Sequence, residues 1–177
     1  VQPDAVGVVG DSLTYEAEHG PGPDPYYQRH YLIDAFNDTG HAARVAARSG
    51  ATTGSLAMWG QWESPPDVIV MALGTNDLYY KVSPTVTKTN VRNYLGRWPG
   101  ACPVLVGVKP SAPRGIEPTA WNAWLAAEAT ARGGVFVDWA AISAPHLEWF
   151  VADQLHHTAA GQAAYRVAIT EGVDRCP

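Results

Sequence analysis

Two hydrophobic rhythms alternate along this chain. Ala5 to Val9, Val68 to Leu73, Val104 to Val108 and Val135 to Val137 are short, unbroken apolar runs, of the kind a parallel sheet buries on both faces. Ala42 to Ala47 reads as a second strand in spite of its alanine and arginine content. Between these runs the period becomes helical. Val91, Tyr94, Leu95 and Trp98 recur at i, i+3, i+4, i+7 and form one apolar stripe. Ser83-Pro84 supplies that helix with a start, the hydroxyl as N-cap and proline at the first helical position. Pro118 opens another helix with Trp121, Trp124 and Leu125 on its inner face, and Gly133-Gly134 ends it. Further helices are predicted over Tyr26 to Phe36 and Thr53 to Trp62, and after Thr158, where Tyr165, Ala168 and Ile169 face inward. Residues 14 to 25 are rich in Gly, Pro and acidic side chains and predict a loop.

No internal repeat or linker interrupts this order, so residues 1–177 read as a single domain. Five strands alternating with helices imply one parallel sheet covered on both faces. In such a sheet the helices run back against the strands, so a helix C-terminus lies near the ends where strands begin. Cys102 precedes the fourth strand and Cys176 follows the last helix. Both belong to one pole, where a disulfide between them is expected. The chemistry belongs at the other pole, beyond the C-terminal ends of the strands.

Composition narrows the classes of partner. A formal net charge of −5 and scattered Lys and Arg residues argue against nucleic acid or an anionic membrane as the main partner. No apolar stretch approaches the roughly 18 residues of a membrane-spanning helix. The expected disulfide, a start at Val1 rather than Met and the low lysine content favour a secreted or extracytoplasmic protein. A monomer is expected.

Four short motifs fall at the active pole. They are Gly10-Asp11-Ser12-Leu13 after strand one, Ser49-Gly50-Ala51-Thr52 after strand two, Gly74-Thr75-Asn76-Asp77 after strand three, and Asp153-Gln154-Leu155-His156 near the end, with Gly161 five residues on. A serine at a strand-to-helix turn presents its hydroxyl beside backbone N–H groups, but it needs a base to become a nucleophile. His156 can be that base, and Asp153, three residues earlier, can hold its other ring nitrogen. The Asn76 amide and the N–H groups of Ser12 and Gly50 are candidate donors to an oxyanion. Taken singly, each motif is more often an ordinary turn or helix cap. The adjacent His156 and His157 do not make a metal site without a further His or Cys cluster. His19, His30, His41 and His146 show no partner in the sequence and are read as surface or structural.

Taken together and in this order, the four motifs resemble the blocks of the SGNH, or GDSL, hydrolase family over nearly the whole chain. That resemblance implies a flavodoxin-like three-layer α/β/α sandwich with sheet order 2-1-3-4-5. It implies Ser12 as nucleophile, His156 as general base and acid, Asp153 as orienter, and Ser12, Gly50 and Asn76 as oxyanion hole. The implied activity is carboxylic ester hydrolysis through an acyl-enzyme, with neither metal nor organic cofactor. Tyr79, Tyr80, Trp59 and Trp121 could line a groove for the substrate, although core packing is the commoner use of any one of them. With little room for a lid, short acyl esters or acetylated glycans are favoured over bulk lipid. An extracytoplasmic O-acyltransferase acting on glycans and a non-catalytic glycan-binding module are the alternatives, the second disfavoured by the intact Ser12, Asn76, Asp153 and His156.

Overall fold

The computed structural model describes residues 5–20 and 30–177. Five parallel strands, β1 (Ala5–Gly10), β2 (Ala42–Ala47), β3 (Val68–Ala72), β4 (Cys102–Val106) and β5 (Val135–Val137), form one sheet in the order β2-β1-β3-β4-β5. The register pairs Val8 with Val45 on one side and Val70 on the other. Every residue of the central β3 is buried, which is why its sequence is apolar without alternation. At the edge, β2 is only partly buried, and its alanines and Arg44 suit that position.

Helices cover both faces. They are α1 (Ser12–His19), α2 (Tyr31–Asp38), α3 (Thr75–Tyr79), α4 (Pro84–Leu95), α5 (Thr119–Ala131), α6 (Trp139–Ser143) and α7 (Ala159–Asp174). On one side α1, α2 and α7 pack against one another, and α4 packs on the 3-10 turn Thr53–Ala57. Val91, Tyr94 and Leu95 of α4 are buried, as their spacing requires. Thr158 caps α7 by accepting the Gly161 N–H.

Several elements differ from the sequence reading. The segment expected as a loop from residue 14 holds α1, because the Asp11 side chain caps it and its packing against the sheet, α2 and α7 buries Leu13, Thr14, Ala17 and Glu18. The rest of that expected loop, residues 21–25, and the expected helix start at residues 26–29 lie outside the described residues. Ser83 precedes α4 but makes no side-chain capping bond, and proline alone shapes that start. The helix expected over residues 53–62 is a single 3-10 turn closed by a capping box of Thr52 and Ser55. The Cys102–Cys176 disulfide is present, with Cα atoms 6.0 Å apart at the pole where strands begin.

Candidate active site

At the opposite pole, β1 stops at Gly10 and the chain turns directly into α1, which makes Ser12 the first helical residue. Asp11 fixes this turn by accepting the Leu13 N–H at 3.0 Å. Burial pushes the Asp11 carboxyl up to about 6, against the opposing hydrogen bonds from Leu13 and Thr75. Ser12 Oγ then lies 3.2 Å from His156 Nε2, and His156 Nδ1 lies 2.6 Å from Asp153 Oδ2. With a carboxylate at Nδ1, the imidazole carries its proton there, which leaves Nε2 free to accept from the serine.

Asp153 is saturated with donors. Its Oδ1 accepts the backbone N–H groups of Leu155 and His156, each at 3.0 Å. Its Oδ2 accepts Arg114 Nη2 at 2.9 Å in addition to His156. Partial burial works against the charge, but the hydrogen bonds from His156, Leu155 and Arg114 outweigh it and hold the carboxyl well below the usual range. The loop is tight enough that Gln154 adopts a left-handed φ of 56°.

A cavity of about 240 Å³ opens in front of Ser12, and Gly50, Asn76, Tyr79, Tyr80, Arg114 and His156 are among its walls. Gly50 sits at φ +77°, a conformation that glycine takes without strain. The Asn76 amide is oriented by donating one N–H to the Ala51 carbonyl at 2.9 Å, which leaves its second N–H available to the cavity. Buried Asp77 ties these two loops together by accepting the Thr53 N–H at 2.9 Å and the Thr53 hydroxyl at 2.7 Å. The structure therefore brings Ser12, Gly50, Asn76, His156, Tyr79 and Tyr80 around one space, with Asp153 behind His156.

Trp59 is not brought there. Because the 3-10 turn ends at Ala57, Trp59 runs down the sheet edge into a separate open groove beside β2, with the Arg48 guanidinium 5.2 Å from its ring. Trp121 is buried, stacks on Trp124 at 5.0 Å and lines a different cavity behind Gly74.

Three histidines without a partner in the sequence have one in the fold. His30 meets Glu18 at 2.6 Å, His41 meets Asp174 at 2.9 Å, and His146 meets Glu148 at 2.8 Å while stacking on Trp149. These carboxylates lie in other elements or across a turn, so no sequence pattern pairs them. His19 packs its ring against Tyr15. His157 is buried among Trp139, Phe150 and Tyr165. Among the described residues no group of three or more His, Cys, Asp or Glu side chains could hold a metal ion.

Two residues at the site have no counterpart in the sequence reading. Glu16 lines the cavity with its carboxylate facing His156 and the His157 N–H, and burial raises its pKa. Its place four residues after Ser12 puts it one helical turn on, a signal available only once α1 is known to be a helix. Arg114 comes from the loop after β4, and no local pattern connects it to Asp153.

Residues 8–164 match the model of the GDSL-like Lipase/Acylhydrolase family. No curated protein matches the chain in sequence. Among solved structures, TesA is similar over 98% of this chain and 99% of its own, with a TM-score of 0.72 and 22% identity. Axe2, an acetylxylan esterase from Geobacillus stearothermophilus, is similar over 96% and 94%, with a TM-score of 0.70 and 15% identity. LAE5, an alpha/beta hydrolase enzyme from the metagenome of Lake Arreo, Spain, is similar over 98% and 96%, with a TM-score of 0.68 and 16% identity. At these identities the likeness is one of fold.

Proposed function

The chain belongs to the GDSL-like lipase/acylhydrolase family and is a carboxylic ester hydrolase, and from that premise we propose that it works through an acyl-enzyme on Ser12. The observation that carries this reading is the continuous relay from Ser12 Oγ through His156 to Asp153, at 3.2 and 2.6 Å. In the first half of the reaction His156 Nε2 takes the Ser12 proton as the oxygen attacks the ester carbonyl. The imidazolium that results is stabilised by Asp153, which stays ionised. The tetrahedral oxyanion is met by the Asn76 amide and the N–H groups of Ser12 and Gly50. Collapse expels the alcohol, which takes its proton from His156. Water, activated by the same imidazole, then releases the acid and restores the serine.

The cavity supports small or accessible esters as substrates. About 240 Å³ suits a short acyl group and part of an alcohol, and exposed Tyr79 and Tyr80 at its rim offer stacking faces to a sugar ring. We infer short-chain acyl esters, including acetylated glycans, as the substrate class. The disulfide supports an oxidising compartment. No helix among the described residues is long and apolar enough to cross a membrane.

Hydrolysis of p-nitrophenyl esters from acetate to palmitate, by the parent and a Ser12→Ala variant, tests this. The expected outcome is activity concentrated at short chains and a loss on the order of 10⁴-fold or more in Ser12→Ala. Equal rates in parent and variant would remove Ser12 as nucleophile, and a maximum at palmitate would remove the short-acyl assignment.

A further inference from the structure

The segment after β4 grips the loop carrying Asp153 and His156 at three points. Lys109 Nζ donates to the Gln154 carbonyl at 2.9 Å, and Ser111 Oγ donates to the Asp153 carbonyl at 2.8 Å. Both bonds hold main chain. The third is different in kind, because Arg114 Nη2 donates to Asp153 Oδ2 at 2.9 Å, the same oxygen that receives His156 Nδ1 at 2.6 Å. Arg114 is kept in reach by a short turn in which its N–H donates to the Ser111 side chain and Ser111 bridges to Ile116. The arginine side chain is 39% exposed. An ion pair this open contributes little to stability, so its place on the oxygen that orients His156 needs another account.

We propose that Arg114 is a positioning residue acting through Asp153, holding the carboxylate against His156 and offsetting part of the negative charge that would otherwise favour a protonated imidazole. This rests on the Ser12–His156–Asp153 reading above. Besides Arg114, three carboxylates bear on that imidazole, and one cation lies beyond it. Asp153 faces it from its own loop, Glu16 from α1 and Asp11 from the cap of α1, with Lys109 on the far side of neutral His157. Even with Asp11 partly protonated around its pKa of about 6, the carboxylates outweigh the one remaining cation, so loss of Arg114 tips the balance toward the imidazolium. The Ser111 and Lys109 bonds to main chain stay in place when the guanidinium is removed, which separates its charge from the anchoring of the loop.

The test uses Arg114→Gln and Arg114→Lys, with kcat/KM for p-nitrophenyl acetate followed against pH and the His156 ring titrated by NMR. The His156 resonance is assigned by its loss in His156→Gln. The acid limb of kcat/KM reports protonation of the base in the free enzyme. In Arg114→Gln that limb and the NMR titration are both expected to move to higher pH by about half a unit or more, with Arg114→Lys returning toward the parent. If neither moves, whatever the plateau rate does, Arg114 has no such role and the proposal is overturned. A Lys variant that titrates like Gln would overturn it as well. A parent inactive on every ester defeats the hydrolase reading instead, and the NMR titration still decides the effect of Arg114 on His156.

Discussion

His157 stands next to His156 in the chain and behaves in the opposite way. Its ring is packed against Trp139, Phe150 and Tyr165, and neither ring nitrogen has a hydrogen-bond partner among the described residues. Burial, with the neighbouring His156 and Lys109 adding to it, pushes its pKa down from the ordinary value to about 3. In the unfolded chain the same ring titrates near 6.5. Below that pH the unfolded state binds a proton that the folded state refuses. The contribution of a neutral His157 is therefore complete above about pH 6.5 and is lost as pH falls toward 3, at a slope of up to about 1.4 kcal/mol per pH unit. Asp11, whose pKa is raised to about 6, works with the opposite sign, since its ionisation costs stability as pH climbs from about 4. Urea midpoints measured from pH 7 to 4 for the parent and His157→Phe separate the two. The difference between the proteins should shift in favour of the variant as the medium is acidified, and a constant difference would mean that His157 is not held neutral. Nothing in the dipeptide His156-His157 distinguishes base from core residue. The distinction comes from which side of the 153–157 turn each ring faces.

At the scale of elements, the site depends on loops from different strands being held in register. Asp77 is the main tie, since it sits in the first turn of α3 and accepts two bonds from Thr53, the first residue of the 3-10 turn that follows Gly50. Replacing it with alanine leaves the buried Thr53 N–H and hydroxyl without an acceptor. Asp77→Ala is expected to destabilise the fold by about 2–4 kcal/mol, read from denaturant midpoints. It should also lower kcat more than Asp77→Asn, because the spacing of Gly50 and Asn76 relaxes. Equal stability of the parent and the alanine variant would show that the tie is dispensable. The sequence placed the Gly74–Asp77 block after strand three and offered Asn76 as an oxyanion donor, but nothing in it pointed to Asp77 as the tie to Thr53. It also missed α1. Leu13, Glu16, Ala17 and Glu18 are good helix formers, but eight residues are too few for a helix to stand alone, and the Asp11 cap and contacts with α2 and α7 are what stabilise it.

For the molecule as a whole, the disulfide and the active pole sit at opposite ends of the sheet. Cys102 and Cys176, 74 positions apart, close a long loop far from Ser12. In the chain-entropy model such a closure stabilises by roughly 4 kcal/mol. A Cys102→Ala/Cys176→Ala double variant should melt roughly 10 °C lower, with kcat on p-nitrophenyl acetate close to the parent's at 25 °C. An unchanged melting temperature would mean that the unfolded chain is already compact across that loop. Much of this architecture was legible in advance. Apolar runs of strand length separated by helical periods dictate a parallel sheet, because no other arrangement buries both faces of such strands, and the sheet's polarity then assigns one pole to the cysteines and the other to Ser12, Asn76, Asp153 and His156. Those statements depend on period and order, which are local properties of the sequence. Arg114 on Asp153, Glu16 beside His156, Trp59 turned away along the sheet edge and the partners of His30 and His41 were decided by tertiary structure alone. Each is a contact between segments far apart in the chain, or depends on where a helix stops, and such distances are set only when the layers pack.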